Sequence, residues 1–495
     1  MPGLAVLMAP AWWFTSSAVV VYQVGVWITV ALALLALWPL STIACRTGVS
    51  RQAGVIVAAV VVLAPSRSLL SNYLLAESGL LLTTAALLVA ADRLWSRHKT
   101  LDAVWFGAAV GGTVLFHGRG VATAVAAGLW TLLLLRRDPK RALIAGASAL
   151  FLSVGVYLLY RGITSEVLTN DARLDMATGD LGYRDLHASA ASAVGQVWYA
   201  TLAWPGVAVV GGMAVVRWRK MGGMAALITL GIPVALIVST VQLNPNAGLT
   251  RMDPWFYGRY MDQWWTILAV IGLSLLVRIK WPAMSAAALA ASLVAGIGML
   301  FFTVPSIPLG MRWVDVHVLG ITPWLRLDDY ADGRGQSWGV IVMTGVALTI
   351  LVLVLASMRV WVLPTLATLW IWLSIAQDIQ GVDLRLGARD SASDTYGLSL
   401  LPGDSVIGID ERLGVQANTV VFAADPREVA KVNVDTPPDG VDIVYVHWFI
   451  AHDAPPGVKL LEATVGGQFV AWVEPGELQR HLDDQGLLVE PGSSG

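Results

Sequence analysis

The chain has 495 residues, of which 56% are hydrophobic and only 13% are charged. Soluble globular proteins carry about 25% charged residues, so this composition excludes a water-soluble enzyme and a disordered chain. The net charge of −2 offers no basic field to nucleic acid, and the single cysteine, Cys45, excludes a disulfide framework. The sequence therefore predicts an all-α polytopic membrane protein, and its 22 tryptophans suit many membrane–water interfaces.

The first 45 residues contain no Asp, Glu, Lys, Arg or His, so the basic region of a secretory signal is absent. Residues 1–16 include an apolar stretch, Pro2–Phe14, that is too short to cross a bilayer and predicts an interfacial helix. An outward N-terminus without basic residues favours a reading frame that starts inside an external loop, with one helix missing upstream. The alternative is a genuine outward N-terminus.

Apolar segments of a length suited to membrane crossing recur over residues 17–378. A spanning helix needs about 20 mostly apolar residues to cross a hydrocarbon layer about 30 Å thick. Some segments are shorter, and tilt or local thinning of the bilayer would accommodate them. About twelve spans are predicted, over residues 17–40, 53–65, 74–91, 102–117, 120–135, 142–160, 199–216, 223–242, 264–277, 283–303, 338–358 and 360–377.

Cations are distributed unevenly over the connections between these spans. If alternate connections are assigned to the cytoplasm, starting after the first span, that side holds 15 cations against three acids. By the positive-inside rule, both termini then face outward across the plasma membrane. The cytoplasmic cations would be Arg46, Arg51, Arg93, Arg97, Lys99, Arg136, Arg137, Lys140, Arg141, Arg217, Arg219, Lys220, Arg278, Lys280 and Arg359.

The tail after residue 378 differs in composition, with 7 Lys or Arg against 18 Asp or Glu. Three of its segments are β-like, namely Ser405–Asp410, Thr419–Ala424 and Val441–Trp448, and proline pairs mark turns between elements. We predict a small extracytoplasmic α/β domain over 379–491, followed by a tag remnant or a disordered end at 492–495.

Three stretches carry a family likeness. They are Pro2–Pro10 with the aromatic pair and Tyr22 that follow it, Ala64–Glu77, and Tyr257–Asp262, which reads Tyr-Gly-Arg-Tyr-Met-Asp. Each resembles a segment of the GT-C membrane glycosyltransferases, a superfamily that includes protein O-mannosyltransferases, lipid A aminoarabinose transferases and mycobacterial arabinosyltransferases. The resemblance implies a polyprenyl-phosphate sugar donor, an external C-terminal domain and one more span than counted here.

One departure from the family concerns the catalytic residue. The resemblance implies a catalytic Asp in the first external loop, upstream of the Pro-Gly segment, but this sequence has no acid before Glu77. We therefore expect a chain that lacks the N-terminal span and that Asp.

The chemistry of such a transferase identifies candidate residues. A phosphate leaving group needs fixed cations, preferably arginine, and the acceptor hydroxyl needs a general base. Glu77, at the outer end of the third span, is predicted as the catalytic residue, and Arg259 and Asp262 are expected to share one helix face. The predicted donor-phosphate ligands are Arg259, Arg119, Tyr257 and Tyr260, supported by His117 and Asp262, with no metal ligands assigned.

Each of these residues also has a purely structural interpretation. Glu77 would then pair with Arg67 or cap a neighbouring helix, and Arg119 would extend to the lipid headgroups. Tyr257–Asp262 would form an interfacial aromatic belt with a structural Arg259–Asp262 ion pair.

The leading prediction is an inverting transferase that moves a sugar from polyprenyl phosphate to a cell-envelope glycan, lipid or protein, without nucleic acid. The cofactor stays unknown, with a divalent metal as one option. The alternatives are a transporter or flippase of lipid-linked or small substrates, and a non-catalytic relative that binds lipid-linked sugar or acts as a scaffold. The transferase requires Glu77, Arg119 and Arg259 to converge on one outward-facing cavity, whereas transporters place ionisable groups near the midplane.

Overall fold

The computed structural model describes most of the chain. The described residues are 2–97, 99–167, 185–217, 222–243, 252–278, 282–307, 317–326, 337–358, 361–377, 396–410, 412–413, 417–424, 427, 429–434, 440–465 and 469–491. The chain divides into two compact units, one formed by residues 1–7 and 25–377 and the other by 8–24 and 378–495. The predicted terminal segment 492–495 lies outside the described residues.

The chain is mostly helical over the described residues up to 377. Its helices are α1 (Gly3–Met8), α2 (Ala18–Arg46), α3 (Arg51–Val62), α4 (Pro65–Ser68), α5 (Glu77–Arg97), α6 (Thr100–Phe116), α7 (Gly120–Leu135), α8 (Pro139–Val167), α9 (Leu186–Ala203), α10 (Val207–Arg217), α11 (Gly222–Leu243), α12 (Asp262–Arg278), α13 (Pro282–Gly298), α14 (Thr322–Arg326), α15 (Trp338–Met358) and α16 (Val362–Gln377).

Six of these helices are long and apolar enough to cross a membrane. They are α2, α5, α8, α11, α13 and α15, and the bent pair α9–α10 is a seventh if it counts as one span. This judgement rests on length and composition over the described residues. A multi-pass membrane protein is therefore confirmed. The predicted count of twelve spans is not confirmed, because the apolar helices α3, α6, α7 and α16 have no more than 17 residues.

The exposed surface supports the same conclusion. Large apolar side chains on α2 and α8 face outward, with Trp27 73% exposed, Leu150 67% and Phe151 78%. Such a surface is costly in water and stable against lipid tails. By contrast, every residue of α12 from Asp262 to Leu276 is buried, so α12 is the core helix of the first unit.

Close backbone contact fixes α10 against α12. A Cβ atom on Gly211 would lie 1.9 Å from the carbonyl oxygen of Leu268, and one on Gly272 would lie 1.9 Å from that of Val207. Only glycine fits at both positions, as is common where membrane helices pack closely.

The structure corrects the predicted span 199–216. The helix breaks between Ala203 and Val207, and α9 and α10 meet at 110°. Pro205 cannot donate the next helical hydrogen bond, and Gly206 adopts φ +67°, a conformation that glycine tolerates. The sequence contained both residues, but the apolar composition around them favoured one continuous helix.

Four of the predicted cytoplasmic connections, those that carry Arg46, Arg93, Arg137 and Arg278, meet at one end of the first unit. Arg46 forms an ion pair with Asp92, Arg278 donates a hydrogen bond to the carbonyl of Thr47, and Arg137 lies 4.6 Å from the ring of Trp95. The helix α5, about 30 Å long at 1.5 Å per residue, separates this end from Glu77. The side of the membrane on which each end lies stays a prediction.

The second unit contains a small mixed sheet, which confirms the predicted C-terminal α/β character. Strand β1 is parallel to β2 and β3, and the remaining pairs are antiparallel, in the order β2-β1-β3-β5-β4-β6. The elements are β1 (Ile407–Asp410), α17 (Ala417–Ala424), β2 (Val429–Val432), β3 (Ile443–His447), β4 (Lys459–Leu461), β5 (Phe469–Val473), α18 (Glu477–Asp484) and β6 (Leu488–Val489).

Two of the three β-like segments contain strands, and the prediction for the third segment was wrong. Thr419–Ala424 belongs to α17, which connects β1 to its parallel neighbour β2. A parallel connection must cross from one end of the sheet to the other, and a helix usually does so. The extracytoplasmic location of this unit stays a prediction.

Candidate functional site

Glu77 begins α5 and is buried, with its side chain 2% exposed. The predicted third span, 74–91, would place it within the helix. Instead, Pro65 starts the short helix α4 and a 3-10 turn at residues 69–72 follows, so the chain enters α5 only at Glu77. A carboxylate at a helix N-terminus is favoured by the helix dipole.

The turn His117–Arg119 joins α6 to α7 and presents Arg119 to Glu77. A Cβ on Gly120 would lie 2.0 Å from the carbonyl oxygen of Thr113, so only glycine lets α7 start this close to the end of α6. The guanidinium of Arg119 bonds Glu77 Oε1 through Nη2 and donates from Nη1 to the carbonyl of Arg259 at 2.6 Å.

Arg259 lies in a 3-10 turn, Gly258–Tyr260, and α12 begins only at Asp262. Its Nε donates to Glu77 Oε1 at 2.5 Å, whereas Asp262 Oδ2 accepts a hydrogen bond from the Tyr199 hydroxyl at 3.4 Å. The prediction that Arg259 and Asp262 share a helix face was therefore wrong, because the turn precedes the helix.

The three predicted residues thus converge on one atom, Glu77 Oε1. Two guanidinium groups share a single carboxylate, so this group carries a net charge of one positive unit. The side chains of Arg119 and Arg259 are only 4% and 14% exposed, and Glu77 Oε2 has no hydrogen-bond partner among the described residues. We call Glu77, Arg119 and Arg259 the arginine–glutamate cluster. A buried cluster with excess positive charge favours an anionic ligand.

His117 supports the orientation of Arg119. Its Nδ1 accepts hydrogen bonds from the backbone N and the side-chain Nε of Arg119, at 3.1 and 3.2 Å. Burial, with the neighbouring Arg119, holds the pKa of His117 well below its usual range. The imidazole is therefore neutral, with its proton on Nε2, which lies 3.9 Å from Glu77 Oε1.

Two tyrosines extend the cluster along the turn before α12. The ring of Tyr260 lies 4.4 Å from the guanidinium of Arg119, and the ring of Tyr257 lies 4.6 Å from that of Tyr260. Burial raises the pKa of Tyr257, so its hydroxyl keeps its proton and can donate. Burial by itself would lower the pKa of Arg259. The negative charge of Glu77 has the opposite and larger effect, so the pKa of Arg259 is raised.

Sequence reasoning named Arg67 as a structural partner of Glu77 but did not include it among the site residues. Its side chain is buried, and Nη2 donates to the backbone carbonyl of Glu77 at 3.2 Å rather than to the carboxylate, as the structural interpretation had it. Its Nε and Nη1 have no hydrogen-bond partner among the described residues.

Sequence reasoning also missed a histidine–aspartate pair beside Tyr257. His317 Nδ1 lies 2.7 Å from Asp253 Oδ2, and the imidazole lies 4.6 Å from the ring of Tyr257. The carboxylate is fully buried, and the side chain of His317 is 15% exposed. No local motif signals a pair whose members are 64 residues apart.

An apolar cavity lies near α4, between the α9–α10 bend, α15 and α16. Its lining includes Pro65, Leu202, Trp370 and Gly320. The backbone N of Gly320 donates to the hydroxyl of Tyr199, which in turn bonds Asp262. The cavity lining is therefore connected to Asp262, but Glu77, Arg119 and Arg259 do not line it. Their predicted convergence on an outward-facing cavity stays a prediction.

No group of three or more His, Cys, Asp or Glu within the described ranges is arranged to hold a metal ion. Guanidinium groups around Glu77 are also unsuited to a cation, because they repel it.

Comparison with protein-family models, with curated proteins and with solved structures gives no match for this chain. The resemblance to GT-C glycosyltransferases therefore stays a prediction from the three sequence stretches.

Proposed function

We propose that this protein is a membrane glycosyltransferase that takes a sugar from a polyprenyl-phosphate donor. The observation that carries the proposal is the arginine–glutamate cluster, with its single excess positive charge. A sugar linked through phosphate to a polyprenol is a phosphodiester with one negative charge. The negative charge of this phosphodiester balances the positive charge of the cluster. When the bond to the sugar breaks, the leaving group is polyprenyl phosphate, which the neighbouring arginines stabilise.

The apolar exterior of the first unit provides the second support. Large apolar side chains on α2 and α8 face outward, so a donor anchored in the bilayer by its polyprenyl chain meets the same lipid phase as the protein. The positive-inside prediction would place the cluster at the outer face, where the acceptor is a cell-envelope glycan, lipid or protein.

A binding measurement on the full chain in liposomes tests the donor site. We expect polyprenyl phosphate to bind and neutral polyprenol to bind more weakly. Arg119→Gln and Arg259→Gln should each weaken phosphate binding about 10- to 100-fold, because hydrogen bonds to charged groups contribute about 1.5–3 kcal/mol. Arg93→Gln, at the other end of α5, is the matched control and should bind normally. Equal binding of polyprenol would overturn the proposal.

Turnover is tested separately. Wild-type protein incubated with polyprenyl phosphates carrying radiolabelled hexoses or pentoses, and with cell-envelope extract, should release polyprenyl phosphate and label the extract. If no donor is consumed while polyprenyl phosphate binds, the protein is a binding protein and the transferase proposal fails.

A second candidate function is lipid transport, which the 110° bend between α9 and α10 favours. Transporters often build their sites from interrupted helices. A flippase would move a fluorescent polyprenyl-phosphate sugar between leaflets with its sugar–phosphate bond intact, whereas a transferase would cleave that bond. Thin-layer analysis of the same liposomes distinguishes the two results.

A further inference from the structure

The transfer reaction needs a proton acceptor that the arginine–glutamate cluster does not supply. In an inverting displacement, the acceptor oxygen attacks the anomeric carbon from the face opposite the leaving phosphate. A general base must therefore face the phosphate-binding cations from across the sugar. Glu77 is in direct contact with both cations, so it lies on the leaving-group side and remains a carboxylate paired with them.

The Asp253–His317 pair has the geometry of a proton acceptor. Asp253 Oδ2 is 2.7 Å from His317 Nδ1, so in the neutral imidazole the carboxylate accepts the Nδ1 proton. That tautomer places the basic lone pair on Nε2, and the buried carboxylate stabilises the imidazolium that forms when Nε2 takes a proton.

Ring contacts connect this pair to the cluster. The rings of His317 and Tyr257 are 4.6 Å apart, as are those of Tyr257 and Tyr260, and Tyr260 lies 4.4 Å from the guanidinium of Arg119. His317 therefore lies beside the cluster but is separated from it by two aromatic rings. His317 therefore lies on the far side of the tyrosine rings from Arg119, away from the cations that would hold the phosphate.

We propose that His317 is the general base that deprotonates the acceptor hydroxyl, and that Asp253 is its positioning residue. The acceptor O–H proton moves to His317 Nε2, the acceptor oxygen bonds to the anomeric carbon, and the bond from that carbon to the phosphate oxygen breaks. The electron pair of the broken bond leaves with polyprenyl phosphate, and His317 then releases its proton to water. The inference rests on the proposed function.

Several charged or titratable groups surround His317 in the described part of the chain. Asp253 and Tyr257 contact it, and Arg259 and Tyr260 lie behind Tyr257. Since only a neutral imidazole accepts the proton, turnover should fall as the pH drops through the pKa of His317. Asp253 stabilises the protonated form, so Asp253→Asn should move this acidic limb to lower pH and slow turnover.

The test measures turnover of the liposome-reconstituted full chain from pH 5 to 9 with the labelled donor. We expect His317→Gln to lower kcat about 10²- to 10⁴-fold, to abolish the acidic limb and to leave donor binding intact. Added imidazole should restore turnover to His317→Gly, which a merely structural role would not allow. His187→Gln, which removes a histidine bonded to Ser306, is the matched control and should keep wild-type turnover.

The outcomes separate this inference from the proposed function. If wild-type protein turns over and His317→Gln keeps the acidic limb or loses donor binding, the role of His317 is overturned and the transferase stands. If wild-type protein consumes no donor, the transferase proposal fails and the role of His317 in it fails as well.

Discussion

At the scale of single residues, Glu77 connects three segments that are distant in the sequence. The start of α5, the turn between α6 and α7, and the turn before α12 meet at one carboxylate oxygen. Removing one partner of a buried charged pair leaves the other charge unpaired in a poorly solvated place. The stability of this end of the first unit should therefore depend on the charge of Glu77.

Glu77→Gln should lower the free energy of unfolding by about 3–5 kcal/mol, because it leaves the buried guanidinium of Arg119 and the largely buried one of Arg259 without their carboxylate. The measurement is chemical unfolding of the full chain in detergent micelles. Glu477→Gln is the matched control, since Glu477 is exposed and its substitution should change the free energy of unfolding little. Equal stability of the two variants would show that the cluster does not hold this end together.

The candidate residues could be predicted singly from the sequence, but their contacts could not. Glu77, Arg119 and Arg259 were identifiable because ionisable groups near apolar segments are costly and so are informative. The pairing of Arg259 with Glu77 rather than with Asp262 depends on where α12 begins. Nothing in the local sequence brings Asp253 to His317.

At the scale of elements, the α10–α12 crossing depends on two glycines. Gly211 and Gly272 allow each backbone to approach a carbonyl of the other helix, at distances where a Cβ would lie 1.9 Å away. Backbone atoms cannot give way as a flexible side chain can. This crossing holds α12, whose first residue follows the turn that carries Arg259.

Gly211→Val should therefore destabilise the protein by about 1–3 kcal/mol or more, through overpacking that separates α10 from α12. Gly128→Val is the matched control, because Gly128 also lies in an apolar helix but a Cβ there meets nothing within 4 Å. Thermal unfolding in nanodiscs should show a lowered Tm for the first variant only. A similar Tm for both variants would mean that the helices adjust freely.

Several elements show the limit of local prediction. The α9–α10 bend and helix α17 were both assigned incorrectly from apolar composition, which is common to membrane helices, soluble helices and strands. In each case the secondary structure of the segment depends on the fold around it. A parallel strand pair requires the crossover that α17 makes, and the Pro205–Gly206 turn directs α10 onto α12.

At the scale of the whole molecule, the orientation predicted from charge can be tested with single cysteines. In a Cys45→Ser background, which has no other thiol, Lys431→Cys should react with a membrane-impermeant maleimide in intact cells. Arg97→Cys should react only after permeabilisation, because the positive-inside rule places it in the cytoplasm. Both native residues are exposed, so access is not limited by burial. The reverse labelling pattern would invert the proposed orientation.

The sequence by itself determined that this chain is apolar, helical and multi-pass, with a small α/β unit at its C-terminal end. These properties follow from composition and from the lengths of apolar segments, because a bilayer selects helices by hydrophobicity and length. Only the tertiary structure decided that Glu77 would bind two arginines and that His317 would meet Asp253. Such contacts join residues that are far apart in the chain, and helix packing, turn geometry and burial set them rather than any local pattern.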